Sequence, residues 1–259
     1  MSLAALSLFW TFAAPLQAPW REVAPGVETA TAADLGGDAN WAAKVLLVDP
    51  RVASFAVRFD AQKPTLAQWR QRYPGAIAIA NGSFYSADGG EVRPTCEIVQ
   101  EGRRLKGAGC LRQDALWFGA HEREAKPVSQ STVASASRAP RFFAPADFHA
   151  DQWSDALKSF PTLVRGGTAA CSGARYCAES SRTAALGQLR DGRILLFASQ
   201  WPAIRRDVAQ WLAETLGVVD AVNLDGGPEA TLALRGESLE DAIGTYGRGL
   251  PLVLLVLPP

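Results

Sequence analysis

Histidine is scarce in this chain. Only two occur in 259 residues, His121 and His149, and neither stands in a metal-ligand spacing or beside a nucleophile motif. No Gly-x-Ser-x-Gly elbow and no zinc-type cluster is present, which argues against Ser-His-Asp hydrolysis and against a zinc enzyme. Net charge is also missing: 26 basic residues balance 26 acidic ones, with no Lys/Arg block interleaved with aromatics. Such a chain sets up no field for a polyanion, so nucleic acid is set aside as a partner. Long apolar runs are absent as well. The apolar N-terminal stretch, residues 1–18, is too short to span a bilayer comfortably as a helix. It reads as a signal peptide cleaved after Ala18, although it has no basic n-region. That reading makes 19–259 one domain, periplasmic or secreted, with no stable membrane insertion after processing.

What is present points to a globular enzyme-sized unit. Apolar residues make up 48% of the chain, enough to bury a substantial core. The four cysteines fall as two local pairs, Cys96 with Cys110 and Cys171 with Cys177. Three pairings exist in principle, and the local one is favoured: closing the short Cys171–Cys177 loop contributes about 2 kcal/mol by chain entropy. Paired cysteines agree with an oxidising compartment, and four free buried cysteines are the alternative.

Hydrophobic patterning predicts many short strands and few helices. Trp41–Asp49 and Val52–Phe59 read as strands around a tight turn, and Thr65–Tyr73 as a short helix capped by Thr65 and stopped by Pro74-Gly75. Ala76–Ala80 is a buried strand that delivers Asn81, and Thr95–Gln100, Ala115–Ala120 and Pro161–Val164 are further strands. The Ser/Ala/Pro-rich stretch Arg123–Asp155 reads as irregular surface chain that contributes to a substrate rim. Thr183–Leu189 and Arg193–Ala198 form a hairpin on Asp191-Gly192. Ile204, Val208, Trp211, Leu212 and Leu216 share a helix face ended by Gly217, before strands Val218–Leu224, Glu229–Arg235 and Pro251–Leu257. The fold class is α+β, a mainly antiparallel curved β-sheet packed on a few helices.

Three strings bear on chemistry. In Asn223-Leu224-Asp225-Gly226-Gly227-Pro228-Glu229 a buried strand runs into two carboxylates flanking a glycine turn, whose N–H groups an anion could approach. Asn81-Gly82-Ser83-Phe84-Tyr85 is a second strand ending in a polar residue; Asn81 is placed to orient a hydroxyl or a water. Ser181-Arg182-Thr183 sets a guanidinium, the natural partner of phosphate, before an apolar strand. Each alone is also what an ordinary turn or strand start looks like. Exposed carboxylates such as Asp88, Glu91 or Asp225 make calcium the candidate ion, against plain solvated charge, since no EF-hand pattern occurs.

In order along the chain, these strings resemble the phosphodiester glycosidase family. Members carry Asn-Gly-Gly-Phe-Phe where Asn81–Tyr85 stand, a Gly-rich or Cys-containing strand at Pro94–Val99, and Phe-Gly at Phe118-Gly119. They continue with Leu-(Val/Ile)-(Lys/Arg)-x-Gly at Leu163–Gly167, Arg-Thr-Ala at Arg182–Ala184 and Asn-Leu-Asp-Gly-Gly at Asn223–Gly227. The chain departs from the pattern at Pro228 and Glu229, where members have glycine and serine, and lacks a histidine that an animal member has near Leu195–Ala198. The resemblance implies hydrolysis of a sugar joined through its anomeric carbon to a phosphate. Asp225 would then be nucleophile or base and Glu229 the second carboxylate. Arg182 would clamp the phosphate, helped by Arg165 and the N–H groups of Gly226 and Gly227, while Asn81, Gly82 and Thr183 position a carbohydrate phosphodiester. The rival expectation is a non-catalytic carbohydrate-binding or envelope-polysaccharide assembly protein, with Trp153 or Trp201 as stacking platforms.

Overall fold

The computed structural model describes residues 19–110, 114–123, 139–171, 175–244 and 247–259. The leader read at 1–18 lies outside the described residues, as do 124–138 of the stretch read as irregular.

The strands are antiparallel and mostly joined by short turns, as their alternation predicts, but they divide into three principal sheets rather than one. The first sheet runs, edge to edge, Arg21–Ala24, Val27–Thr31, Ala43–Val48, Ile194–Ser199, Ala184–Leu189, Val218–Asn223, Thr162–Arg165 and Thr168–Ala169. The second runs Leu232–Leu234, Ala78–Asn81, Leu252–Leu257 and Ser54–Phe59. The third runs Arg141–Phe143, Leu116–Glu122, Trp153–Ser159, Ile98–Gln100 and Arg103–Leu105. The expected hairpin pairs Ala184 with Ala198 through Gln188 with Ile194, and its turn closes on Gly192 at φ 90°.

One apolar core lies between the three sheets, built from residues such as Leu46, Phe55, Phe118, Leu157, Leu186 and Leu254. Alternate residues of the same strands face outward and are covered too, so these strands read as unbroken apolar runs. Val45, Leu47 and Phe197 of the first sheet pack against Val208, Trp211 and Leu212 of the helix Arg205–Glu214. Gly217 at φ 67° turns the chain from that helix into Val218–Asn223. Beneath the second sheet, Ile79, Val253 and Leu255 meet Leu66 and Trp69 of the helix Leu66–Arg72. A capping box starts this helix: Gln68 N–H donates to Thr65 Oγ1 and Thr65 N–H to Gln68 Oε1.

Several sequence expectations are corrected. Within Arg123–Asp155, Arg141–Phe143 is an edge strand and Trp153–Asp155 begins a central strand of the third sheet. Its outer face is closed by Trp117, Phe143, Phe148 and Trp153, with Trp117 and Phe148 stacked at 4.0 Å. Trp153 is 1% exposed, and a Cβ on Gly119 would come within 2.6 Å of its ring, so it packs the core and offers nothing to a sugar. Trp201 is 59% exposed. Glu229 belongs to a 3-10 turn, Gly227–Glu229, and the strand behind it is Leu232–Leu234. The N-terminal hairpin Arg21–Ala24 with Val27–Thr31 was not anticipated. Both local cysteine pairs are disulfides, Cys96–Cys110 and Cys171–Cys177.

The edge strand Ser54–Phe59 shows how second and third sheets are joined. Val57 N–H, turned away from its own sheet, donates to Asp155 Oδ1 at 3.0 Å, and Phe59 N–H donates to Gln100 Oε1 at 2.7 Å. Side chains of the third sheet thus satisfy an edge that would otherwise bury unpaired donors. Arg58 Nη1 lies 2.6 Å from Asp155 Oδ1. Burial pushes the Asp155 carboxyl up, against the pull of Arg58. Asp155→Ala strips Arg58 of its shorter ion pair, leaving it the Glu101 carboxylate at 3.4 Å, and leaves the Val57 donor unpaired; it is expected to cost about 3 kcal/mol in urea unfolding. Asp155→Asn keeps an acceptor for Val57 and is expected to cost less.

Candidate functional site

The strand Val218–Asn223 of the first sheet and the strand Ala78–Asn81 of the second end side by side. Asp225 N–H donates to Gly82 O at 3.0 Å. Asn81 completes the joint: its Nδ2 donates to Asp225 O at 2.6 Å and to Gly82 O at 3.1 Å, while its Oδ1 accepts from Thr231 N–H at 2.8 Å. Asn81 is 1% exposed, and its carboxamide faces backbone. Gly82 is required by a close approach, since a Cβ there would fall 2.4 Å from the Leu252 side chain.

The third string closes the other side of the same turn. Gly227 N–H donates to Arg182 O at 2.8 Å, and a Cβ on Gly226 would lie 2.7 Å from that oxygen. The Arg182 guanidinium turns toward backbone carbonyls, with Nη2 donating to Ala230 O at 2.7 Å and to Gly244 O at 3.3 Å, and Nε to Ser199 O at 3.4 Å. Thr183 is fully buried, and its hydroxyl donates to Ser181 O and Ala203 O. The structure therefore brings Asn81, Gly82, Arg182, Thr183, Asp225, Gly226, Gly227 and Glu229 together, several of them as the frame of the turn. Arg165 is not among them. It pairs with Asp220 at 3.0 Å, roughly five residues before Asp225 and on the order of 15 Å back along the strand.

The exposed side of the turn carries the charge. Asp225 is half-buried, and its carboxyl is pushed up to about 8, first by burial and then by the neighbouring Glu229; Gly226 N–H, Arg205 and Lys63 oppose the shift. Glu229 Oε1 accepts from Tyr85 Oη at 3.3 Å, and Tyr85 Oη accepts from Lys63 Nζ at 2.9 Å. Arg205, 8% exposed in the first turn of its helix, donates to Tyr176 O at 2.7 Å and to Ser181 Oγ at 2.8 Å. Its Nη2 would stand 3.5 Å from a Cβ on Gly226. Burial pulls the Arg205 guanidinium down, and Glu179 and Asp225 offset that. Ser83 Oγ, Asn223 Oδ1 and Arg205 Nε, all beside this turn, are buried without a hydrogen-bond partner among the described residues.

Lys63 and Arg205 were not found from sequence. Neither sits in a motif, and each is brought to the turn from a distant part of the chain. The calcium candidates Asp88 and Glu91 lie on an exposed turn, bonded to Ser86 Oγ at 2.6 Å and paired with Arg93 at 3.4 Å. Among the described residues no group of three or more His, Cys, Asp or Glu is placed to hold a metal ion. A cavity of about 760 Å³ bounded by Thr29, Lys44 and Ile243 contains none of the turn's residues. Lys44, on the wall of that cavity, is already paired with Glu237.

The family model for phosphodiester glycosidases matches residues 74–257. No curated protein matches in sequence. Among solved structures, the catalytic domain of zebrafish N-acetylglucosamine-1-phosphodiester alpha-N-acetylglucosaminidase, auto-inhibited by its pro-peptide, superposes with TM-score 0.58 at 16% identity, over 84% of this chain and 77% of that one. A candidate exported protein from Burkholderia pseudomallei gives TM-score 0.58 at 16% identity, over 83% and 74%. A hypothetical protein from Synechocystis gives 0.56 at 14%, over 84% of this chain but only 59% of that longer one. At such identities these likenesses show the fold.

The Asp225 carboxyl also sets a stability signature. Its native value near 8 exceeds the ordinary 3.8, so the folded state holds the proton more tightly, and stability falls as pH rises from about 4 to about 8. Asp225→Asn removes that slope. The variant is expected to match the wild type in Tm at pH 4 and to exceed it by at least about 2 °C at pH 9. Equal Tm differences at both pH values would show that the carboxyl is not raised.

Proposed function

The chain belongs to the phosphodiester glycosidase family, and from that premise we propose that it hydrolyses a glycosyl phosphodiester at the anomeric carbon, with Asp225 at the reacting centre. The observation that carries this reading is one desolvated carboxyl beside a second carboxylate and two cations, on a turn whose backbone is immobilised from behind. A phosphate monoester is already a competent leaving group. The protein must therefore bind its charge, stabilise an oxocarbenium-like transition state and direct a nucleophile.

In this reading Asp225 acts as its carboxylate. It either attacks the anomeric carbon or takes a proton from the attacking water. The C1–O bond to phosphate breaks, its electrons leave with the phosphate monoester, and water supplies the sugar's new hydroxyl; the proton left over passes to solvent. A basicity near 8 makes this carboxylate a stronger base than an ordinary aspartate, at the cost of being ionised only in the upper pH range. Glu229 maintains that basicity by repulsion and accepts from sugar hydroxyls. Arg182 and Asn81 are positioning residues that fix the turn, and Thr183 is packed behind them. Two disulfides support export to the periplasm or beyond. No helix among the described residues is long and apolar enough to cross a membrane. The exposed ring of Trp201 favours the rival reading, a sugar-binding protein without turnover.

A panel of glycosyl phosphodiesters separates the two. The enzyme reading expects kcat/KM to rise with pH through about 8, and Asp225→Asn to lose roughly a hundred- to ten-thousandfold. Glu229→Gln should move the rising limb to lower pH. Tight binding without turnover in both wild type and Asp225→Asn would establish the binding protein instead.

A further inference from the structure

We propose that Lys63, held through Tyr85 beside Glu229, is the cation that takes the substrate's phosphate oxygen, the role that the sequence assigns to Arg182. The inference rests on the reading of the Asp225 turn as a phosphodiester site and deepens it.

Lys63 lies before residues 74–257, the span that the family model matches, so nothing in that match assigns it a role. Its backbone is unusual: a lysine at φ 53°, in the left-handed region that favours glycine. Contacts on both sides hold it there. Pro64 follows it, Pro64 O accepts from Leu250 N–H at 2.8 Å, and Lys63 O lies so close to Gly249 that a Cβ there would clash at 1.7 Å. A residue kept in a costly conformation by its surroundings has its side chain aimed by them. Here the aim is toward the turn: Nζ is 2.9 Å from Tyr85 Oη and 4.7 Å from that ring's centroid, and Tyr85 Oη donates to Glu229 Oε1.

The bonding of each cation near Asp225 then decides which is available to a ligand. Arg182 and Arg205 both spend guanidinium donors on backbone carbonyls, and Arg205 adds the Ser181 hydroxyl. Lys63 is half-buried and makes no salt bridge to a carboxylate among the described residues. An ammonium has three donors, and the one bond to Tyr85 leaves it capacity for an anion.

The test is binding, with inorganic phosphate as probe and calorimetry as readout, on wild type, Lys63→Gln, Lys63→Arg and Tyr85→Phe. The expected result is phosphate binding by wild type, weakened about tenfold or more in Lys63→Gln, the loss of one charge-assisted hydrogen bond. Lys63→Arg should restore most of it, which also shows that the fold survives, and sulfate should compete. On a cleavable glycosyl phosphodiester, Lys63→Gln should raise KM by a similar factor with a smaller change in kcat. Undiminished phosphate binding in Lys63→Gln, or no phosphate binding by wild type, overturns the assignment. If wild type binds phosphate through Lys63 yet cleaves no glycosyl phosphodiester, the reaction reading fails and the anion site stands.

Discussion

The arrangement depends on one carboxamide. Asn81 bridges two sheets by doing what no other side chain of its size can do at once: it donates to two carbonyls, those of Asp225 and Gly82, and accepts from the Thr231 N–H. An aspartate could not donate and a leucine could do neither, and in either case backbone groups would be left unpaired in a site from which water is largely excluded. Gly82 allows the approach by yielding the space that Leu252 fills. With the Asn81 joint on one side and the Arg182 guanidinium on the other, the Asp-Gly-Gly turn has little freedom. The Asp225 carboxyl is displayed from a fixed backbone.

That rigidity bears directly on the electrostatics. A carboxyl on a mobile loop would rotate toward water and keep an ordinary acidity. Here it stays where burial and Glu229 both disfavour its charge, and the cations nearby compensate only in part. Arg205 is itself buried and divided between a carbonyl and a hydroxyl, while Lys63 is engaged with Tyr85. The left-handed Lys63, the raised carboxyl and the orphaned polar atoms of Ser83 and Asn223 each oppose folding by a small amount. They concentrate at one turn, and the core shared by three sheets offsets them.

How much of this was legible in the sequence follows from how local each feature is. The hairpin on Asp191-Gly192, the Thr65 cap, the Gly217 stop and both disulfides depend on residues near one another in sequence, 14 positions apart at most for the cysteines, and each is readable. The division into three sheets is set by pairings between distant strands, such as Ile194–Ser199 with Ala43–Val48, which no local pattern encodes. The whole strand Trp153–Ser159 went unpredicted, because polar Ser154, Asp155 and Lys158 interrupt it and the partners that bury Trp153 and Asp155, Gly119 and Arg58, are remote. At the site, a strand running into Asp-Gly-Gly marked Asp225 and Glu229. Arg182 lies beside the turn, but spacing says nothing about which way a guanidinium points, and this one faces backbone carbonyls.

Motif and contact are therefore carried by different residues. Asn81, Gly82, Arg182, Gly226 and Gly227 supply the strings by which the chain resembles its family, and nearly all of their bonding capacity seen here goes into holding the turn. Side chains facing outward come from elsewhere: Lys63 from before the matched span, Glu229 at a position where the family pattern has serine. A frame that fixes one carboxyl can be kept while the side chains around it change. Substitutions at the rim, as at Glu229, leave that frame intact. Divergence to 14–16% identity with the fold retained is what this separation of roles permits.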